Sequence, residues 1–116
     1  MITFELPFPS KALSPNGRAH RMEKAREAKK ARKWAWVAVL AALGRNRWAH
    51  EGAAIVWTVH PKTANAMDDD NAISMLKPSR DGIADALGIN DRTFQASLIF
   101  GEPVKGGKVV VTISPL

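Results

Sequence analysis

The sequence predicts an α+β fold: a single domain over residues 1–116, in the order β-α-β-α-β-β, with a mixed four-stranded sheet covered by two helices. Three observations predict it. Four short runs are rich in β-branched, aromatic or alternating apolar residues. Two longer stretches carry strong helix formers. Pro, Gly, Ser and Asn cluster between these segments. At 116 residues with 46% hydrophobic content, the chain is long enough for one core and no more.

Residues Ile2 to Phe8 alternate as a first strand, stopped by Pro7 and Pro9. Ser10 to His20 is a loop rich in Pro, Ser, Asn and Gly. Arg21 to Leu43 lacks Pro and Gly and predicts a long helix, with Gly44 placed to end it. Its first half is basic. In its second half Trp34, Val37, Leu40 and Ala41 are expected to pack on the sheet. Ala53 to His60 is the second strand, ended by Pro61. A second helix is expected from about Asp70 to Leu87, opened by an Asp cap, kinked or restarted at Pro78 and closed by Gly88. Within it Ile73, Leu76, Ile83 and Leu87 are expected to face the sheet. Phe94 to Phe100 is the third strand. Gly106-Gly107 reads as a hairpin, which would pair the fourth strand, Lys108 to Ser114, with the third.

Charge narrows the partners. The net charge is +6, and between Lys11 and Lys33 nine Lys or Arg stand against two Glu. A concentrated basic patch attracts phosphates through counterion release. The apolar residues follow this block rather than interleave with it, which argues against a membrane-surface helix. The apolar stretch Trp34 to Leu43 is too short to cross a bilayer. There is no cysteine, which excludes disulfides and thiolate chemistry, and no leader is visible at the N-terminus. The expected location is cytoplasmic.

Against this basic background, six Asp gather between positions 68 and 91, three of them adjacent in Asp68-Asp69-Asp70-Asn71. Adjacent carboxylates repel by about 1 kcal/mol per contact even in water, unless a cation sits among them. Mg²⁺ takes one or two carboxylates together with water and phosphate oxygens. Asp68 and Asp70 project the same way if the segment is extended; alternatively, Asp70 caps the helix and Asp68 reaches back across it. Asp70, Ser74, Lys77 and Asp81 form one stripe on an ideal helix. Asp91 follows in the turn Gly88-Ile89-Asn90-Asp91. The chemical reading is that Asp68, Asp70 and Asp91 bind Mg²⁺ or Mn²⁺, and that Lys77 neutralises charge building on a phosphodiester under attack. The plain structural alternative is that the acidic run caps a helix and complements its dipole, worth about 0.5–2 kcal/mol. No zinc-ligand spacing, calcium loop or phosphate-binding glycine loop is present.

Asp68-Asp69-Asp70-Asn71, Lys77, Asp81-Gly82-Ile83-Ala84-Asp85-Ala86-Leu87 and Asn90-Asp91 together resemble the RusA family of Holliday-junction resolvases, many of them from phages and prophages. Leu6-Pro7-Phe8-Pro9-Ser10 is similar to that family's first strand and turn, and Gly106-Gly107 with the last strand to its end, so the resemblance spans nearly the whole chain. It implies a homodimer making paired, Mg²⁺-dependent incisions across four-way DNA junctions in recombination or repair. It implies that Asp68, Asp70 and Asp91 are the metal-site aspartates. The family lysine follows the D-x-D-N asparagine by three residues, where this chain has Ser74; Lys77 lies one turn further along the same stripe and precedes an Asp-Gly pair, as in phage-like members. A junction is two-fold symmetric, so a dimer with two equivalent sites suits it. DNA contacts are expected from Lys11, Arg18, His20, Arg21 and Lys24. The rival expectation is a non-catalytic nucleic-acid-binding protein of the same fold.

Overall fold

The computed structural model describes residues 1–15, 20–64 and 68–116. Its elements are β1 (Ile2–Pro7), α1 (Arg21–Leu43), β2 (Ala53–His60), α2 (Asp69–Leu87), β3 (Phe94–Phe100) and β4 (Lys108–Ser114), with single 3₁₀ turns at Lys11–Leu13 and Asp91–Thr93. The α+β order and the mixed four-stranded sheet are as the sequence predicts. The strand order is β1-β4-β2-β3. Alternate residues Ala53, Ile55, Trp57 and Val59 of β2 and Val109, Val111 and Ile113 of β4 are buried, and join Leu6, Ala35, Val39, Leu76, Ile83 and Leu87 in one core. Both helices therefore cover one sheet face, while the opposite face is half-buried on β2 and β4 and exposed on β1 and β3.

The pairing of the fourth strand differs from expectation. β4 does not pair with β3; it runs antiparallel between β1 and β2, and β3 lies parallel to β2 on the other side. Gly106 and Gly107 do form a turn, with φ of 79° and 69° and the Gly107 N–H donating to the Val104 carbonyl. That turn is only the end of the connection, because β3 stops at Phe100. The whole stretch crosses β2, tethered by the Val104 N–H to the Pro61 carbonyl. The parallel β2–β3 pair in turn requires a crossover, which α2 supplies.

Two expectations about the helices also change. α1 has the predicted bounds, but its buried seam is Ala35, Val39 and Leu43. Trp34, Val37, Leu40 and Ala41 face outward, with Trp34 47% and Val37 48% exposed. The reason lies at the helix crossing, where an added Cβ on Gly82 would stand 2.1 Å from the Arg32 carbonyl oxygen. Helices this close meet through small side chains, so Ala35 rather than a tryptophan lines the contact. α2 continues through Pro78 as one helix and does not restart there. The proline frees the Ser74 carbonyl, which lies on the exposed face where water can serve it. Leu76, Ile83 and Leu87 are buried as expected; Ile73 is not, at 57% exposure.

Candidate functional site

Asp68 is the N-cap of α2. Its Oδ1 accepts the Asp70 N–H at 3.3 Å, and its carbonyl accepts the Ala72 N–H. Asp69 and Asp70 occupy the first turn, and all three carboxylates are exposed. The helix thus begins at Asp69, within a residue of the expected start, and Asp68 supplies the Asp cap. The positive end of the helix dipole offsets part of the carboxylate repulsion. Asn71 is half-buried, and its Oδ1 accepts the Ser14 hydroxyl at 2.9 Å. This bond ties the segment after β1, which leads into the basic helix, to the acidic start of α2.

The predicted stripe is real: Asp70, Ser74 and Lys77 are exposed along α2, with Asp81 half-exposed beyond them. Lys77 Nζ donates to Asp81 at 2.7 Å and to Asp91 at 3.3 Å. These two carboxylates, Asp81 foremost, raise the Lys77 ammonium above the ordinary lysine range. Asp91 is a hub. Arg80 Nε lies 3.5 Å from its carboxylate, and an Arg80 N–H donates to its backbone carbonyl at 2.9 Å. Lys77, with help from Arg80, holds the Asp91 carboxyl below the usual carboxylate range. Arg80 also stacks over Phe94, 5.4 Å from the ring centre.

The structure therefore joins Asp91 to Lys77, not to Asp68 and Asp70. Asp70 and Lys77 stand seven positions apart on the helix, about 10 Å of rise. Among the described residues, no three acidic or histidine side chains surround one point. Asp68 and Asp70 form a two-carboxylate pair, which matches the protein share of a Mg²⁺ shell completed by water and phosphate. Asp91 would join that shell only by exchanging Lys77 and Arg80 for the ion. An apolar cleft of about 390 Å³ opens beside this cluster, between α2 and β3, lined by Trp57, Ile73, Leu76 and Leu98 with Lys77 and Arg80 at its rim.

Of the expected DNA contacts, Lys11 is exposed in the first 3₁₀ turn, Arg21 is exposed and Lys24 half-buried at the start of α1. His20 is the N-cap of α1, its Nδ1 accepting the Met22 N–H at 3.1 Å. Arg18 lies outside the described residues. Sequence reasoning missed Arg80, although its place three residues after Lys77 puts it on a neighbouring stripe. It also missed Arg32, whose guanidinium grips Asp85 at 2.7 and 3.0 Å and locks α1 to α2. Among the described residues, no helix is long and apolar enough to cross a membrane.

No family model matches the chain. It is similar to an uncharacterized protein of Xylella fastidiosa (strain Temecula1 / ATCC 700964), with 40% identity over 121 residues, covering 98% of this chain and 76% of the relative. At that identity and coverage, the chain belongs to one family with this uncharacterized protein.

Proposed function

We propose that the protein is a RusA-like, metal-dependent endodeoxyribonuclease that acts in the cytoplasm as a homodimer and cuts four-way DNA junctions by paired incisions. The observation that carries this reading is the Ser14–Asn71 bond. It ties Ser14, three residues after Lys11, to Asn71, the residue that follows the three carboxylates opening α2. Asp68 and Asp70 would hold Mg²⁺ or Mn²⁺, and Asp91 is the third candidate ligand. When bound, the ion would lower the pKa of a water and polarise the phosphodiester. Lys11, Arg21 and Lys24, with Arg18 and His20 beside them, would grip the DNA backbone and fix its register without reading bases. Lys77 stays protonated because Asp81 and Asp91 raise its pKa, so it is available to neutralise charge on the leaving oxygen.

The test is incision of a labelled four-way junction, with Mg²⁺ and with chelator, against a linear duplex. Symmetric nicks in the junction alone, dependent on Mg²⁺, are expected. Asp70→Asn should abolish them while binding persists or tightens, since the substitution also relieves repulsion of phosphate. Wild-type cutting by Asp70→Asn would remove the metal assignment. A second reading, a junction-binding protein without nuclease activity, is favoured by one feature: Asp91 is already engaged by Lys77 and Arg80. Tight binding without nicks in Mg²⁺ or Mn²⁺ would select it.

A further inference from the structure

β3 is an edge strand, and it lacks the features that normally keep an edge from pairing. The segment Phe94-Gln95-Ala96-Ser97-Leu98-Ile99-Phe100 holds no charge and no proline. The other edge, β1, carries Glu5 and ends at Pro7. Edge strands left bare in this way are templates for another strand. On the helix side of β3 the cleft leaves Ile73 57% exposed and Phe100, further along the strand, is 37% exposed; on the far side Ile99 is 53% exposed.

The geometry points to a second copy of this chain, paired antiparallel through β3 about a two-fold axis at Ser97. The backbone is arranged for it. The Gly101 N–H donates to the Val59 carbonyl, in step with the Val59–Phe100 register. By strand alternation the N–H groups of Ala96 and Leu98 then point away from β2, towards the open edge. A two-fold at Ser97 sets each Ala96 opposite Leu98 and each Phe94 opposite Phe100. The small Ala96 leaves room for Leu98, and all four lie on the helix side of the sheet, Ala96 and Leu98 lining the cleft. An uncharged strand also suits a chain of net charge +6, because self-pairing there brings no like charges face to face. The result is a continuous eight-stranded sheet with the two Lys77–Asp91–Arg80 clusters flanking its centre.

This pairing rests on the dimeric reading above but not on nuclease activity, so its test avoids incision. Sedimentation equilibrium of the full chain should give twice the 12.7 kDa chain mass. Ser97→Lys places two ammonium groups at the axis, and Ala96→Pro removes an outward N–H while sparing the β2 ladder. Both should halve the mass while circular dichroism stays native. Trp36→Glu, on the exposed face of α1, should remain dimeric. Amide exchange at Ala96 and Leu98 supplies a readout without substitution: protection should appear in concentrated wild type and fade on dilution. A monomeric wild type, a dimeric Ser97→Lys, a monomeric Trp36→Glu or fast exchange at both amides at every concentration would overturn the proposal. A dimer that passes these tests yet never cuts DNA would remove the nuclease reading alone.

Discussion

Gly82→Ala separates two opposite expectations by sign. Judged by helix propensity, alanine in the middle of α2 should stabilise the protein by about 1 kcal/mol. The crossing with α1 dictates the reverse. The new methyl carbon would lie 2.1 Å from the Arg32 carbonyl oxygen and 3.1 Å from the Ala35 Cβ. An ordinary carbon–oxygen contact is about 3.3 Å or more, so the helices must part by roughly 1 Å. The obstructing atom is backbone and cannot swing aside. Ala35, Val39 and Ile83, all fully buried, line this seam, and a gap of about 1 Å forfeits up to half of each dispersion well. Overpacking at the upper end of its usual range, about 3 kcal/mol, less the propensity gain, leaves a net loss of about 2 kcal/mol. For a domain of this size, that lowers Tm by on the order of 10 °C. Thermal unfolding followed by circular dichroism, backed by urea titration, measures it. An unchanged or raised Tm would refute the close crossing, and with it the explanation for why the large apolar residues of α1 face outward.

Val39→Ala should cost about 2 kcal/mol for two buried methyls, whereas Val37→Ala should stay within about 0.5 kcal/mol; urea titration of the pair distinguishes the observed seam from the one expected by counting large residues. Arg32 holds the Asp85 carboxyl below its usual range, so the stability from this pair is present above the unfolded carboxylate pKa, about 3.9, and is lost as pH falls through the lower folded value. The stability gap between wild type and Asp85→Asn should therefore be constant near neutrality and close in acid; a gap that persists at the lowest pH would refute the linkage. The raised Lys77 pKa carries the opposite sign: its contribution is full below about pH 10.4 and fades as pH rises through the folded value, an effect Lys77→Met should erase. If the protein binds junctions as proposed, neutralising Arg21 and Lys24 together should weaken that binding and reduce the slope of log K against log salt by roughly 2, at about 0.9 per phosphate contact; an unchanged slope would refute the assignment of these two residues to DNA.

The elements themselves were legible in the sequence because their signals are local. Caps, breakers and β-branched runs put every helix and strand within a residue or two of its observed bounds. What failed was whatever depended on a distant partner. The Gly106-Gly107 turn is correctly read as a turn, yet it says nothing about which strand lies beyond it; β4 gains more by filling the gap between β1 and β2, where both its edges pair and Val109, Val111 and Ile113 reach the core. On α1 side-chain size is a poor guide to burial. A helix pressed against Gly82 selects Ala35 at its contact, and larger residues are turned outward. Pro78 did not break α2, because burial on both sides of it, at Met75, Leu76, Ser79 and Ile83, holds the helix through the missing hydrogen bond.

The candidate site divides along the same line. Asp68, Asp70 and the stripe through Lys77 lie on one helix, so spacing alone places them. Asp91 lies past the helix end, and only the packing of Asp91–Thr93 under Arg80 decides which turn of α2 it meets. It meets the third and fourth, where Lys77 and Arg80 already neutralise it. Asp68 and Asp70, at the start of α2, thus meet no cation among the described residues, while Asp91 is held by cations that a phosphate backbone could also engage. DNA entering along the basic segment would compete for Lys77 and Arg80, loosening their hold on Asp91. If the protein is the nuclease proposed above, substrate and metal therefore assist one another, and Mn²⁺ should bind more tightly with an uncleavable junction present than without it. Electron paramagnetic resonance of Mn²⁺ titrations measures the difference; equal affinity in both would mean that Asp91 stays with Lys77 and that the ion, if bound, rests on Asp68 and Asp70 alone.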